Sequence, residues 1–158
     1  MNKIYFTEED IKLAEEMTQR VLKAEPNAKT YLPQNVLCDV IGYLGELAFK
    51  KFLDSKGVEY KWSGVQLKGG DKFDFCVEDT LLDIKTSQAY RGIALNEWQL
   101  YKASVNSSVL VGVYIDNYSA EILGYTTPFY FTRCPDMDFK NREMYCVPEN
   151  KLFKFKNV

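Results

Sequence analysis

FDFCVEDTLLDIKTS, residues 73 to 87, is the most strand-like stretch of the chain, and its reading decides the fold. Apolar residues recur at every second position, the period of a β-strand with one buried face. Asp74, Asp83 and Lys85 interrupt that pattern with charge. KFDFCV (72–77) and LLDIKTS (81–87) read as two strands joined through Asp79-Thr80. An antiparallel hairpin with an even-numbered loop sets Glu78 opposite Leu81, Cys76 opposite Asp83 and Asp74 opposite Lys85. Asp74, Cys76, Asp83 and Lys85 then share one face, and Phe73, Phe75, Val77, Leu82 and Ile84 share the other. The second set is wholly apolar and is the predicted core face. An odd-numbered loop would break this agreement. The first set gathers two carboxylates and an ammonium. The plain alternative is a solvated ion pair between Asp74 and Lys85, contributing ~0.2–1 kcal/mol.

Working outward toward the N-terminus, Val36, Leu37, Val40, Ile41, Leu44, Leu47, Ala48 and Leu53 recur at helical spacing and predict a helix over 34–55. Pro33 precedes it, and Gly57 is its expected C-cap. Within it, IGYLGELAFK (41–50) carries Gly42 and Gly45. Each costs roughly 1 kcal/mol relative to alanine in a helix interior. Close approach of the helix to a neighbouring backbone is one reason to accept that cost. Glu46 follows Gly45 near the packing face, where Leu47, Phe49 and Leu53 hold the helix down. A carboxylate there needs a partner, such as a metal ion or a lysine. A plain surface glutamate is the other reading.

Thr7 and Asp10 form an expected capping pair for a helix over 8–24, which Pro26-Asn27 ends. VEYKW (58–62) reads as a strand and GVQLKGG as a loop. Asn96 with Gln99 opens a helix that reaches about Ala103. SVLVGVYI (108–115) is a buried central strand, with AEILGYTT (120–127) as its expected neighbour. KLFKFK (151–156) alternates and reads as an edge strand or a terminal arm. The order α-α-β-β-β-α-β-β places the chain in the mixed α/β class.

The chain has 158 residues, 46% hydrophobic and 27% charged, with 15% aromatic residues. This suits one globular domain with a sizeable core. No stretch of about 18 apolar residues predicts a membrane span. The opening residues lack the apolar segment of a signal peptide, so the expected location is intracellular, in the cytoplasm. The four cysteines, Cys38, Cys76, Cys134 and Cys146, are scattered without a CxxC pair, which argues against a disulfide framework or a zinc site. The chain contains no histidine. Ser-His-Asp and Cys-His catalysis are thereby excluded, and acid–base work falls to Asp, Glu, Lys, Tyr or Cys. The net charge of −2 argues against a protein that coats nucleic acid, but it allows a local basic groove.

GELAFKKF, then FDF, then DIKTS, in this order and spacing, resembles the PD-(D/E)XK nuclease superfamily. The resemblance covers roughly residues 36 to 126. The family pattern is a helix carrying a glutamate, then a hairpin with an aspartate on its first strand and (D/E)-x-K on its second. The corresponding residues here are Glu46, Asp74, Asp83 and Lys85. Gln99 in NEWQLYKA (96–103) is a further match, with Gln88 as an alternative polar helper. Phe73 stands where the family name has proline, and Asp71 competes with Asp74 as the aspartate.

The resemblance implies a restriction-endonuclease-like αβα core with a central mixed sheet flanked by helices. It implies a single nuclease-like domain over 1–158, with a helical extension (1–30), a core (36–126) and a C-terminal extension (127–158). It implies a metal-dependent deoxyribonuclease using Mg²⁺ or Mn²⁺. Glu46, Asp74, Asp83 and the carbonyl of Ile84 would serve as ligands. Lys85 would orient the attacking water or neutralise charge on the phosphorane, and Gln99 would assist. DNA is the expected substrate, and a homodimer would suit cutting of both strands. Lys50, Lys51, Lys68, Lys72, Arg91 and Lys102 are candidate phosphate contacts, and Tyr90-Arg91 a candidate stacking element. The competing readings are a non-catalytic nucleic-acid-binding module, an RNA-processing nuclease and a plain structural α/β domain.

Overall fold

Two N-terminal helices form where a capping pair and apolar patterning put them, and a curled mixed sheet packs beneath them. The computed structural model describes residues 3–24, 34–63, 73–137 and 143–156. The elements are β1 (Lys3–Tyr5), α1 (Glu8–Ala24), α2 (Gln34–Ser55), β2 (Lys61–Trp62), β3 (Phe75–Val77), β4 (Thr80–Ser87) and β5 (Gly92–Asn96). They continue with α3 (Glu97–Val105), β6 (Val109–Asp116), β7 (Ser119–Thr126), β8 (Thr132–Arg133) and β9 (Met144–Pro148). The architecture is mixed α/β.

The helix starts are chemically defined. The Thr7 N–H donates to Asp10 Oδ2 at 2.7 Å, and the Asp10 N–H donates to Thr7 Oγ1 at 3.2 Å, closing a capping box on α1. Asn96 and Gln99 close the same motif on α3. Gly57 ends α2 with φ 65°, the left-handed conformation that glycine adopts without a Cβ penalty. Pro26-Asn27, Pro33 and the GVQLKGG loop lie outside the described residues.

Strands run in the order β1-β7-β6-β4-β3-β2 in a six-stranded sheet. β2, β3 and β4 form an antiparallel meander, and β4 then pairs with β6 in parallel. A parallel neighbour requires a crossover, and here β5 and α3 supply it. A second sheet, β5-β9-β8, stacks on the other side. This second sheet is absent from the expected order α-α-β-β-β-α-β-β. The tail is the terminal arm rather than an edge strand. Among its described residues, only Phe153 bridges to a strand, at Tyr125, and Phe155 packs on Phe49 and Phe52.

The two cores sit on opposite faces of the large sheet. On one face, Phe75, Leu82, Ile84, Val111, Val113 and Ile122 pack against Leu47, Ala48, Phe49 and Phe52 of α2, with Ala14 of α1. Phe49 meets Phe75 edge-on at 5.3 Å. Burying each such ring contributes roughly 1.5–3 kcal/mol. On the other face, Leu110 and Leu123 pack with Ile93, Leu95, Val147 and Ala103 of α3. The sheet is therefore covered by two helices on one side, and by α3 with the small sheet on the other. No helix among the described residues is long and apolar enough to cross a membrane.

Candidate active site

β4 separates its side chains by face. Leu82 and Ile84 are buried against α2. Asp83 and Lys85 point to the opposite side, toward α3, as the period of two requires. The register differs from the expected one by two residues. Val77 pairs with Thr80, Cys76 with Leu81 and Phe75 with Leu82. The turn is thus Glu78-Asp79, with Glu78 at φ 52°, and not Asp79-Thr80. Both loops are even-numbered, so the face assignment survives the slip. Its consequence is local: Asp74 comes alongside Asp83 instead of Lys85.

Asp74 lies just before β3 and ties three strands together. Its N–H donates to the Leu82 carbonyl at 2.9 Å, and its carbonyl accepts from the Ser63 N–H at 2.9 Å. Its carboxylate Oδ2 accepts from the Ile84 N–H at 2.7 Å. The side chain thus does for β4 what a backbone carbonyl would do further along the ladder. Burial pushes the Asp74 carboxyl up to about 7, and the neighbouring Asp83 charge adds to the rise. The Ile84 N–H and the Lys85 charge only partly offset it. Lys85 Nζ stands 3.0 Å from Asp83 Oδ1, both side chains partly exposed. The ion pair therefore runs along β4 and not across the hairpin to Asp74.

Asp74, Asp83 and Lys85 open into a cleft of about 310 Å³ whose far wall is α3. Gln99, Lys102 and Asn106 reach it from the helix, and Phe73 and Trp98 line it as well. Gln99 is partly committed elsewhere, because its Oε1 accepts from the Asn96 N–H at 3.0 Å. Trp98 escapes a reading based on apolar periodicity. It stands off the Leu100–Ala103 face that packs inward, and only its exposure beside charged neighbours marks it.

Glu46 is not brought into this cleft. α2 lies over the opposite face, and Glu46 Oε2 accepts from the Trp62 indole N–H at 3.0 Å. Trp62 pairs with Phe75 and stacks on its ring at 6.1 Å. Glu46 is thus linked to the strand that follows Asp74, but from the α2 side. The close approach expected at the glycines holds for Gly45 alone. A Cβ there would lie 1.9 Å from Thr86 Oγ1, a contact with a side chain rather than with a backbone, whereas a Cβ at Gly42 would meet nothing within 4 Å. Among the described residues, no group of three or more Cys, Asp or Glu side chains is close enough to hold a metal ion.

The expected phosphate contacts divide. Lys102 lines the cleft. Lys50 pairs with Asp54 at 2.8 Å, and Lys51 pairs with Asp10 of α1. Arg91 donates to Glu149 at 2.7 Å and to Glu121 at 2.9 Å, stapling the C-terminal turn to β7. Tyr90 next to it is held by burial and by the Cys146 thiol, which raise its hydroxyl above the ordinary range. Gln88 is exposed beyond the end of β4. Lys68, Lys72 and Asp71 lie outside the described residues. No family model, no curated protein and no solved structure matches this chain.

Proposed function

We propose that this chain is a Mg²⁺- or Mn²⁺-dependent nuclease that hydrolyses phosphodiester bonds of DNA on a restriction-endonuclease-like core. The observation that carries the reading is one cleft holding Asp74, Asp83 and Lys85, with Asp74 desolvated beside a second carboxylate. Two carboxylates forced together out of water raise the energy of their own ionised state, and a bound cation relieves that repulsion. Perturbed acids in a cleft are where such sites are expected. The order of elements also supports the reading. The resemblance asks for a helix, a hairpin, a further helix and a buried strand, and α2, β3-β4, α3 and β6 follow in that order.

The donor set fits a hard divalent ion in part. Asp74 and Asp83 would hold it, with the carbonyl of Ile84 as the third ligand the resemblance supplies. The ion, when bound, would supply Lewis-acid stabilisation of charge on the phosphate. Lys85, kept in the cleft by Asp83, presents its ammonium to the phosphate oxygens and stabilises negative charge as the water–phosphorus bond forms and the leaving oxygen departs. Lys102 offers a second cation from the opposite wall. Glu46 enters the set by the resemblance alone, since it does not line the cleft.

A second reading has one observation in its favour: Glu46 does not line the cleft and bonds Trp62 instead. It is a nucleic-acid-binding module without catalysis. Purified protein incubated with DNA or RNA and Mn²⁺, beside a binding assay with Asp83→Asn, separates the readings. DNA cleavage supports the proposal. Binding without cleavage of either polymer favours the module, and cleavage of RNA alone favours an RNA-processing nuclease.

A further inference from the structure

We propose that Trp98 and Tyr101 form a stacking platform for an unpaired nucleobase, so that the preferred substrate is single-stranded or end-frayed DNA. The substrate class rests on the nuclease reading for the position of the scissile phosphate. The stacking itself is testable without cleavage.

Trp98 is 67% exposed and Tyr101 60% exposed. They stand three residues apart on α3, the spacing that puts side chains on one helix face. Their rings stack at 5.8 Å and 28°. The helix beneath them is fixed by its capping box and by buried Ala103. The helix that carries the rings is therefore held in place, yet neither ring is buried in the core.

Exposure alone carries little, since Phe129 is 87% and Tyr118 74% exposed and neither lines the cleft. Trp98 differs by position. It lines the cleft that holds Asp83, Lys85 and Lys102, and it also lines an adjoining cavity of about 590 Å³ with Asn96, Glu97 and Glu143. The two sides differ in charge. Lys85 and Lys102 suit phosphates, whereas Glu97 and Glu143 repel them. A strand lying across Trp98 would place its backbone on the lysine side and its base against the indole. Bases inside a duplex are stacked on each other and offer no free face, so an unpaired base is required.

The test uses Asp83→Asn protein, expected to lack turnover, and three fluorescent DNAs: a single strand, the same strand with abasic sites, and a covalently closed circular duplex without unpaired bases. Fluorescence anisotropy should show tighter binding of the single strand than of the closed duplex. Trp98→Ala or Tyr101→Ala should weaken single-strand binding roughly 5- to 150-fold, with Trp98→Phe retaining most of it and duplex binding unchanged. Abasic sites should weaken binding by a similar factor with both aromatics in place and add nothing to Trp98→Ala. Equal affinity for natural and abasic strands would overturn the platform, even if the protein cleaves DNA. So would a Trp98→Ala variant that binds DNA normally but changes oligomeric state, which would assign the rings to a protein contact. Base-dependent binding in a protein that never cleaves would uphold the platform and sink the nuclease reading.

Discussion

The carboxylate of Asp74 accepts a hydrogen bond from the Ile84 N–H, 2.7 Å away, and this bond holds a desolvated acid beside Asp83. The bond favours the charged form of Asp74, while burial and the Asp83 charge oppose it more strongly. The result is an acid that keeps its proton up to about pH 7 in the folded chain, against 3.8 for an ordinary aspartate.

Stability should therefore fall with rising pH through that window. Below about pH 4 both states carry the proton and Asp74 has no pH-dependent effect. Between there and about pH 7 the folded protein holds a proton that the unfolded chain has lost, so each step up in pH favours unfolding. Above that range the cost is constant. Urea unfolding should find Asp74→Asn more stable than the parent at pH 8, by roughly 1–3 kcal/mol after allowance for residual solvation. The difference should shrink toward pH 4. A constant difference across this range would contradict the assigned environment.

A divalent cation should reverse that cost. Mg²⁺ or Mn²⁺ is expected to raise the melting temperature above pH 7, and EDTA to remove the gain. Affinity should rise as pH climbs toward about 7, because binding must displace the Asp74 proton, and then level off. Calorimetric titration in two buffers of different ionisation enthalpy would detect proton release at pH 6. Asp83→Asn should abolish both effects.

Two glycines of α2 should answer oppositely to alanine. At Gly45 the new methyl would collide with Thr86, costing about 1–3 kcal/mol. At Gly42 the space is open, and alanine should be neutral or stabilising by up to ~1 kcal/mol. Thr86→Ala should recover part of the Gly45→Ala loss, since it removes the nearest atom. Thermal melts of Gly42→Ala, Gly45→Ala, Thr86→Ala and the Gly45→Ala/Thr86→Ala double variant check this, and equal behaviour of the two glycines would contradict the packing.

Activity should fall in an order that follows position. Asp83→Ala should lose turnover to background. Glu46→Gln keeps an oxygen that can accept from the Trp62 indole, and should leave most of the turnover. Gln99→Ala should cost less turnover than Asp83→Ala, but about 0.5–1 kcal/mol of stability through the lost α3 cap. A Glu46→Gln variant as inactive as Asp83→Ala would give Glu46 a direct part in catalysis.

The sequence made some of this legible and hid the rest for physical reasons. The helices at 8–24 and 34–55 stand where caps and patterning put them, because Thr7 and Asp10 mark the start of the first and the apolar stripe of the second is long enough to define a period. The common face of Asp74, Asp83 and Lys85 was legible because alternation survives any even change of register. The two-residue slip was not, since no glycine marks the turn and Glu78 takes the positive φ itself. β5 finds its partner β9 about fifty residues later, with pairs such as Ile93 to Val147. Such short strands carry no local signal of each other. That Glu46 sits on α2 was readable, but its bond to Trp62 depends on where the sheet edge falls.

The most direct test is cleavage of circular and linear DNA by the purified protein with Mg²⁺ or Mn²⁺, beside Lys85→Ala and an EDTA control. Metal-dependent cleavage is expected, stopped by EDTA and lowered by at least about 100-fold in Lys85→Ala, with the variant melting like the parent. Cleavage unaffected by Lys85→Ala, or none by the parent protein on any DNA, would contradict the nuclease reading.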